Sequence, residues 1–347
     1  VIDSVTPTAV CQDITVYVDG SGNATITAGD VDGGSSDNCS LSSTTASTTA
    51  FTCSDLGSNS VTLTVADASA NSATCSANVE VVDSSGPTMV CNNITVYVDG
   101  SGNASITAGD LDGGSSDNCS LSGTSANITS FTCSDIGANT VTLTGTDGSS
   151  NSATCTSTVT VLDSVSPTAA CQSLTIYLDG SGSASITTGD VDNGSSDNCA
   201  VSSLSLDVSS FNCANSGSNT VTLTASDASG NSETCTSTIT VLDTSLPTAV
   251  CQPITVYLDG SGNASITAAD GDGGSADNCS ISSSSISVTS FTCADTGSVS
   301  FTLTVNDPSA NSATCSNTVT VIDSTSPTMV CSNITVYLDG SGNASIT

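Results

Sequence analysis

The sequence predicts an all-β protein built as a tandem array of small, disulfide-stapled β-sandwiches. Three observations carry that prediction. The segment DVDGGSSDNC at 30–39 returns as DLDGGSSDNC at 110–119, DVDNGSSDNC at 190–199 and DGDGGSADNC at 270–279, with the same spacing each time. A fixed period marks an array of like units rather than one large domain. Short runs of alternating apolar and polar residues are separated by Gly, Asn, Asp and Ser clusters, with no helical period. The 17 cysteines fall at four per repeat with one left over.

The 347 residues divide into the close of one repeat (1–2), four full repeats (3–82, 83–162, 163–242 and 243–322) and the start of a fifth (323–347). With 36% hydrophobic residues, 3% aromatics and no Trp, a unit of this size buries too little apolar surface to be secure alone. An even number of cysteines per small, weakly cored unit reads as a disulfide framework and places the chain outside the cytoplasm, as an extracellular or cell-surface segment. Zinc is the poorer reading, because there is no CxxC pair and no His. The leftover Cys331 occupies the place of Cys11, so its partner is expected beyond residue 347. Export signals are expected outside these residues too. No apolar run reaches the roughly eighteen residues of a membrane span.

Charge narrows the partners. There are 33 acidic residues and no Lys, Arg or His, a formal net charge of −33. Such a surface repels nucleic acid and anionic lipid, leaving metal cations or basic partners as counter-charges. The chain is expected not to be an enzyme: no His, Lys or Arg is present to act as base or to stabilise an anion, and the carboxylates sit in loop sequences.

Each repeat opens on an Asp–Pro joint, Asp3 and Pro7, then Asp83/Pro87, Asp163/Pro167, Asp243/Pro247 and Asp323/Pro327. Proline restricts itself and the residue before it, so the connector is short and stiff. Residues 14–18 alternate as a strand with Ile14, Val16 and Val18 inward; Cys11 is out of phase with them, which asks for a bend near Gln12 and Asp13. Residues 19–22 have hairpin chemistry leading into a returning strand at 24–28. The acidic loop follows, then 40–50, the one stretch that differs widely between copies. Phe51 to Cys53 closes a strand, 55–59 turns, 61–65 alternates, 67–71 turns again, and the last strand sets Ala73, Cys75, Ala77, Val79 and Val81 on one face.

Six or seven such strands describe a sandwich of immunoglobulin type. Cys75 is inward on the last strand and is paired with Cys11; Cys39 is paired with Cys53 across the variable stretch. Four cysteines allow three pairings, and sequence order leaves the choice open. The same assignment in later copies joins Cys91 to Cys155 and Cys119 to Cys133, Cys171 to Cys235 and Cys199 to Cys213, and Cys251 to Cys315 and Cys279 to Cys293.

The strings PTAVC, DITVYVDGSGNATITAGDVDGGSSDNC, FTCSDLGSNSVTLTVADASANSATC and VEVVD resemble the HYR-type immunoglobulin-like repeats of very large secreted surface proteins of gliding and predatory marine Bacteroidetes. The likeness spans every repeat and most of each. It implies adhesion or filament building, not catalysis. In that family the segment before the last cysteine reads D-x-x-G-N. Residues 227–231, DASGN, fit it, whereas 67–71, DASAN, lack the Gly, so that turn is expected to differ.

In a sandwich of this topology the loop after the second strand and the loop before the last strand meet where the chain comes in. That gathers Asp30, Asp32, Asp37 and Asn38 beside Asp67, Asn71 and the joint residue Asp3. The corresponding carboxylates are Asp83, Asp110, Asp112, Asp117 and Asp147, then Asp163, Asp190, Asp192, Asp197 and Asp227, then Asp243, Asp270, Asp272, Asp277 and Asp307. Hard oxygens at that density suit Ca²⁺. DxDGG resembles the start of an EF-hand loop, but the closing Glu and flanking helices are absent, so a calcium site at the end of the sandwich is expected instead. The competing reading is that Asp, Asn, Gly and Ser merely cap turns. Tyr17, Tyr97, Tyr177, Tyr257 and Tyr337 share one outward position on the first strand, a row suited to contact between chains or to covering a sheet edge.

The function expected is therefore structural: a disulfide-stapled, calcium-rigidified rod within a giant extracellular adhesin or cell-surface filament, used for attachment, gliding or prey capture. Self-association into a filament or bundle is expected, with host or prey surfaces met by regions outside these residues. The alternative is a glycan- or ligand-binding module using 40–50 of each repeat.

Overall fold

The computed structural model describes residues 2–346. They form two compact units, one of residues up to Pro167 with Ser196–Ser202 and Ser226–Ser232, the other of Thr168–Ser195, Ser203–Ala225 and the chain from Glu233. The architecture is all-β, with the same pair of sheets made four times at the spacing of the sequence repeat.

In the first repeat the strands are β1 (Ile14–Tyr17), β2 (Asn23–Thr25), β3 (Leu41–Ala46), β4 (Ala50–Thr52), β5 (Gly57–Asp67) and β6 (Ser72–Val82). One sheet has the order β1-β6-β5-β3 and the other is the pair β2-β4. β5 and β6 pair antiparallel along their length because both alternate throughout, burying Val61, Leu63 and Val65 from one and Ala77, Val79 and Val81 from the other. β1 runs parallel to β6, with Ile14 opposite Val79. Cys11 stands apart from β1 in an isolated bridge to Asp32, which is the bend its phase demands. The second sheet brings Ala24 opposite Phe51, and Phe51, Ile26 and Val31 close the core.

The turn at 19–22 is not a hairpin. It crosses from one sheet to the other, with Gly22 N donating to Asp19 O at 2.9 Å and Asp19 N donating to Asn23 O at 2.8 Å. β2 takes β4 as its partner because Ala24 and Phe51 must lie over the apolar faces of β5 and β6. The variable stretch 40–50 holds β3, an edge strand paired with β5, and ends where β4 begins. Tyr17, Tyr97, Tyr177 and Tyr257 lie on the opposite edge strand of each repeat and are well exposed, as is Tyr337. Residues 323–346 form no strand; in the full repeats the strand they would contribute pairs with the last strand of its own repeat.

Drift between copies is compensated in the core. Gly271 replaces Val31 and Leu111, and a Cβ there would sit 2.9 Å from the ring of Phe301, which itself replaces Val61. The volume moves from one strand to its neighbour.

Four disulfides lie within repeats as expected: Cys11–Cys75, Cys91–Cys155, Cys171–Cys235 and Cys251–Cys315. The second expected set is not formed. Cys53 bonds to Cys119, Cys133 to Cys199 and Cys213 to Cys279, so each bridge ties one repeat to the next. The bridges Cys39–Cys53, Cys119–Cys133, Cys199–Cys213 and Cys279–Cys293 are excluded by the length of the sandwich. Gly57, just after Cys53, is opposite Val81 where the chain leaves the repeat, whereas Cys39 lies at the other end of β5, near Asp3 and Asp67. Cys39, Cys293 and Cys331 are exposed thiols.

Candidate cation sites at the repeat joints

The acidic loop divides into two halves with different work. Its first half serves local turns. Asp30 Oδ2 accepts Thr27 N at 2.6 Å and Thr27 Oγ1 at 2.7 Å, and these donors hold its carboxyl below the ordinary carboxylate range. Asp110, Asp190 and Asp270 repeat the arrangement with Thr107, Thr187 and Thr267. Asp32 Oδ1 accepts Gly34 N and Ser35 N, and the Ser35 hydroxyl and N–H hold it low. Asp112, Asp192 and Asp272 do the same with Ser115, Ser195 and Ser275. These eight carboxylates do not join the groups expected at the end of the sandwich; the turn-capping reading describes them.

The second half of the loop does gather. Asp83, Asp117 and Asp147 place carboxylate oxygens within 4.8 Å of one another, as do Asp163, Asp197 and Asp227, and Asp3, Asp37 and Asp67. Asp243 and Asp277 group likewise with Cys279, whose sulfur is committed to a disulfide and cannot act as a thiolate ligand. Asn71, Asn151, Asn231 and Asn311 brace the groups, each donating Nδ2 to the backbone oxygen of the joint Asp at 3.0–3.1 Å.

At the joint between the first and second repeats, Asp83 is 4% exposed. Its Oδ1 accepts Ser85 N and Asn118 Nδ2. Asp117 Oδ2 accepts Cys119 N and Ser120 N. Asn118 Nδ2 reaches back to the preceding repeat, donating to Asp19 O at 3.1 Å. The remaining oxygens, Asp83 Oδ2, Asp117 Oδ1 and Asn118 Oδ1, are buried without a partner. The same trio recurs as Asp163 Oδ2, Asp197 Oδ1 and Asn198 Oδ1, and as Asp243 Oδ2, Asp277 Oδ1 and Asn278 Oδ1. A cleft lined by Gly20 of the first repeat and Ser85, Thr88, Asp117 and Asn118 of the second opens beside them.

Unpartnered buried oxygens are costly, about 1–3 kcal/mol each and more when charged. Two carboxylates about 4.8 Å apart repel by about 3 kcal/mol at an effective dielectric near 20, and no Lys or Arg exists in the chain to offset this. The all-oxygen donor set, free of His and thiolate, fits a hard divalent cation, with Ca²⁺ accommodated best where backbone oxygens and water complete six to eight ligands. Sequence reasoning brings Asp3, Asp37, Asn38 and Asp67 together, as the structure does. It misses the Asp19, Asp99 and Asp179 carbonyls, for which a backbone group leaves no residue-type signal.

No family model and no curated protein matches the chain. Among solved structures it is similar to protocadherin gamma B7 extracellular cadherin domains 1–4, with 12% identity over 78% of this chain and 84% of that one and a TM-score of 0.32. It is similar to immunoglobulin domains 1–5 of Sidekick-1, with 12% identity, 90% and 79% coverage and a TM-score of 0.33. Drosophila N-cadherin domains 1–4 match at 11% identity, 78% and 85% coverage and a TM-score of 0.30. At these scores the likeness carries no argument about what this chain binds or does.

Proposed function

We propose that the chain is a load-bearing segment of an extracellular adhesin or surface filament of the HYR type, serving attachment, gliding or prey capture, with a Ca²⁺ ion stiffening each joint. The observation behind this is the set of bridges between repeats. Through Cys53–Cys119, Cys133–Cys199 and Cys213–Cys279 a continuous covalent path passes each repeat by the short segment from Cys119 to Cys133 or from Cys199 to Cys213. The internal bridges give a second short path, from Cys75 to Cys91 or from Cys155 to Cys171. An unfolded repeat then extends to about 50 Å, against about 270 Å for the whole repeat without bridges. Such a tether has little slack to release even where a fold fails. The orphaned oxygens at each joint support the calcium reading, and the seven disulfides support a place outside the cytoplasm.

Pulling the oxidised chain by its ends in a force spectrometer tests this. Extension steps no longer than about 50 Å are expected, giving way to steps on the order of 200 Å after reduction with a dithiol. Long steps already present in the oxidised chain overturn the reading.

A further inference from the structure

We propose that closing a joint and filling its cation site are one coupled equilibrium, transmitted by Asn118, Asn198 and Asn278, and that the inter-repeat disulfides hold these three sites in their high-affinity form. The inference rests on the divalent-cation reading above and concerns how that site is regulated.

The amide is the link because its two ends face different repeats. Asn118 Nδ2 donates to Asp19 O of the preceding repeat, Asn198 Nδ2 to Asp99 O at 3.0 Å and Asn278 Nδ2 to Asp179 O at 3.0 Å. With the nitrogen held there, the amide oxygen is turned into the carboxylate group and left without a partner. The formed joint thus aims a neutral ligand oxygen at the carboxylates.

The acceptor on the preceding repeat is rigid. Asp19 Oδ1 ties down its own turn through Ser21 N and Asn23 N. Gly22 has φ +76° there, and a Cβ on it would fall 2.5 Å from Cys53 Sγ and 2.8 Å from Asn118 O. Cys53 bonds to Cys119, the residue next to the linking amide, so the disulfide keeps the amide at high effective concentration against its acceptor. Coupling of this kind is reciprocal: the factor by which the joint tightens the cation is the factor by which the cation tightens the joint.

Isothermal titration of the whole oxidised chain with calcium chloride tests the inference. The sites of Asp117, Asp197 and Asp277 are expected to bind calcium, and replacing Cys53, Cys119, Cys133, Cys199, Cys213 and Cys279 by Ser, with the four internal bridges verified by mass, is expected to weaken that binding at least about tenfold. The triple variant Asn118→Asp, Asn198→Asp, Asn278→Asp keeps a ligand oxygen but loses the N–H donor; it is expected to bind calcium with an affinity that no longer changes when those six cysteines are removed. An affinity that survives loss of the bridges overturns the coupling alone. Absence of any calcium binding overturns the cation reading and the coupling with it.

Discussion

The two halves of the acidic loop are built from the same residue types and do different work. Asp110 and Asp112 accept from donors within three residues, Thr107 and Ser115. Asn118 instead donates to Asp19 O of the preceding repeat, and Cys119 is bonded to Cys53 there. The contrast shows that the site at the joint belongs to no single repeat. A loop that looks like a self-contained motif is one half of a contact, and the turn at Asp19 is the other half.

The largest effect should come from cutting the half of the loop that faces the joint. The pair Cys53→Ser and Cys119→Ser opens a loop of 66 residues, a loss of about 4 kcal/mol in a loop-closure model. Asp110→Asn, in the capping half of the same loop, should cost less. Chemical denaturation of both variants, monitored with hydrogen exchange at Ser85 and Ser120, makes the comparison direct. Equal effects of the two substitutions would show that the joint adds nothing to the repeats it connects.

The inward alternation of Val61 to Val65 and of Ala73 to Val81, with Cys75 among them, is readable from sequence, because a two-residue period assigns faces without reference to any partner. The pairing of Cys53 is not. Cys39 and Cys53 are near one another along the chain yet lie at opposite ends of β5, and a strict repeat cannot distinguish a bridge within one copy from the same bridge displaced into the next. The returning strand at 24–28 escapes for a related reason: turn chemistry at Asp19–Gly22 specifies a reversal but not which sheet receives it. Composition draws Asp30 and Asp32 into the cation site, whereas their nearest donors, Thr27 and Ser35, lie within three residues and claim them first.

Acid separates the two halves of that loop. Thr27, Thr107 and their counterparts hold the capping carboxylates below their ordinary value in the folded chain, and Ser35 and its counterparts do so for Asp32, Asp112, Asp192 and Asp272. A depressed folded pKa contributes stability that is complete above the unfolded value near 4 and is lost as pH falls through the folded one. Thermal melts with chelator present should be flat from about pH 7 to 5 and fall below about pH 4 in all repeats together. Asp110→Asn should lower the melt of its repeat at pH 7, and the difference should shrink as pH falls below about 4. A melt insensitive to acid would mean that the caps contribute nothing to folding.

The smallest effect concerns the turn before the last strand, where the missing glycine of the first repeat changes less than its sequence implies. Ala70 takes φ +68°, close to the +92° of Gly230, so DASAN and DASGN adopt the same left-handed corner. In both repeats the backbone N–H of the turn's Asp donates to the Asn carbonyl at 3.0 Å. The corner is set by that bond and by the Asp side chain, which accepts the Asn backbone N–H at 2.8 Å in each. Alanine is therefore held in a conformation that costs an L-residue about 1–2 kcal/mol. Glycine relieves that strain but gives back part of the gain through the freedom of the unfolded chain, about 0.4–1 kcal/mol. Ala70→Gly should then stabilise the first repeat by about 0.5 kcal/mol and Gly230→Ala destabilise the third by a similar amount. A Cβ on Gly230 meets no atom within 4 Å, so the pair isolates backbone strain from packing. Denaturant midpoints that move in the same direction in both variants would show that the Asp–Asn turn does not fix the corner by itself.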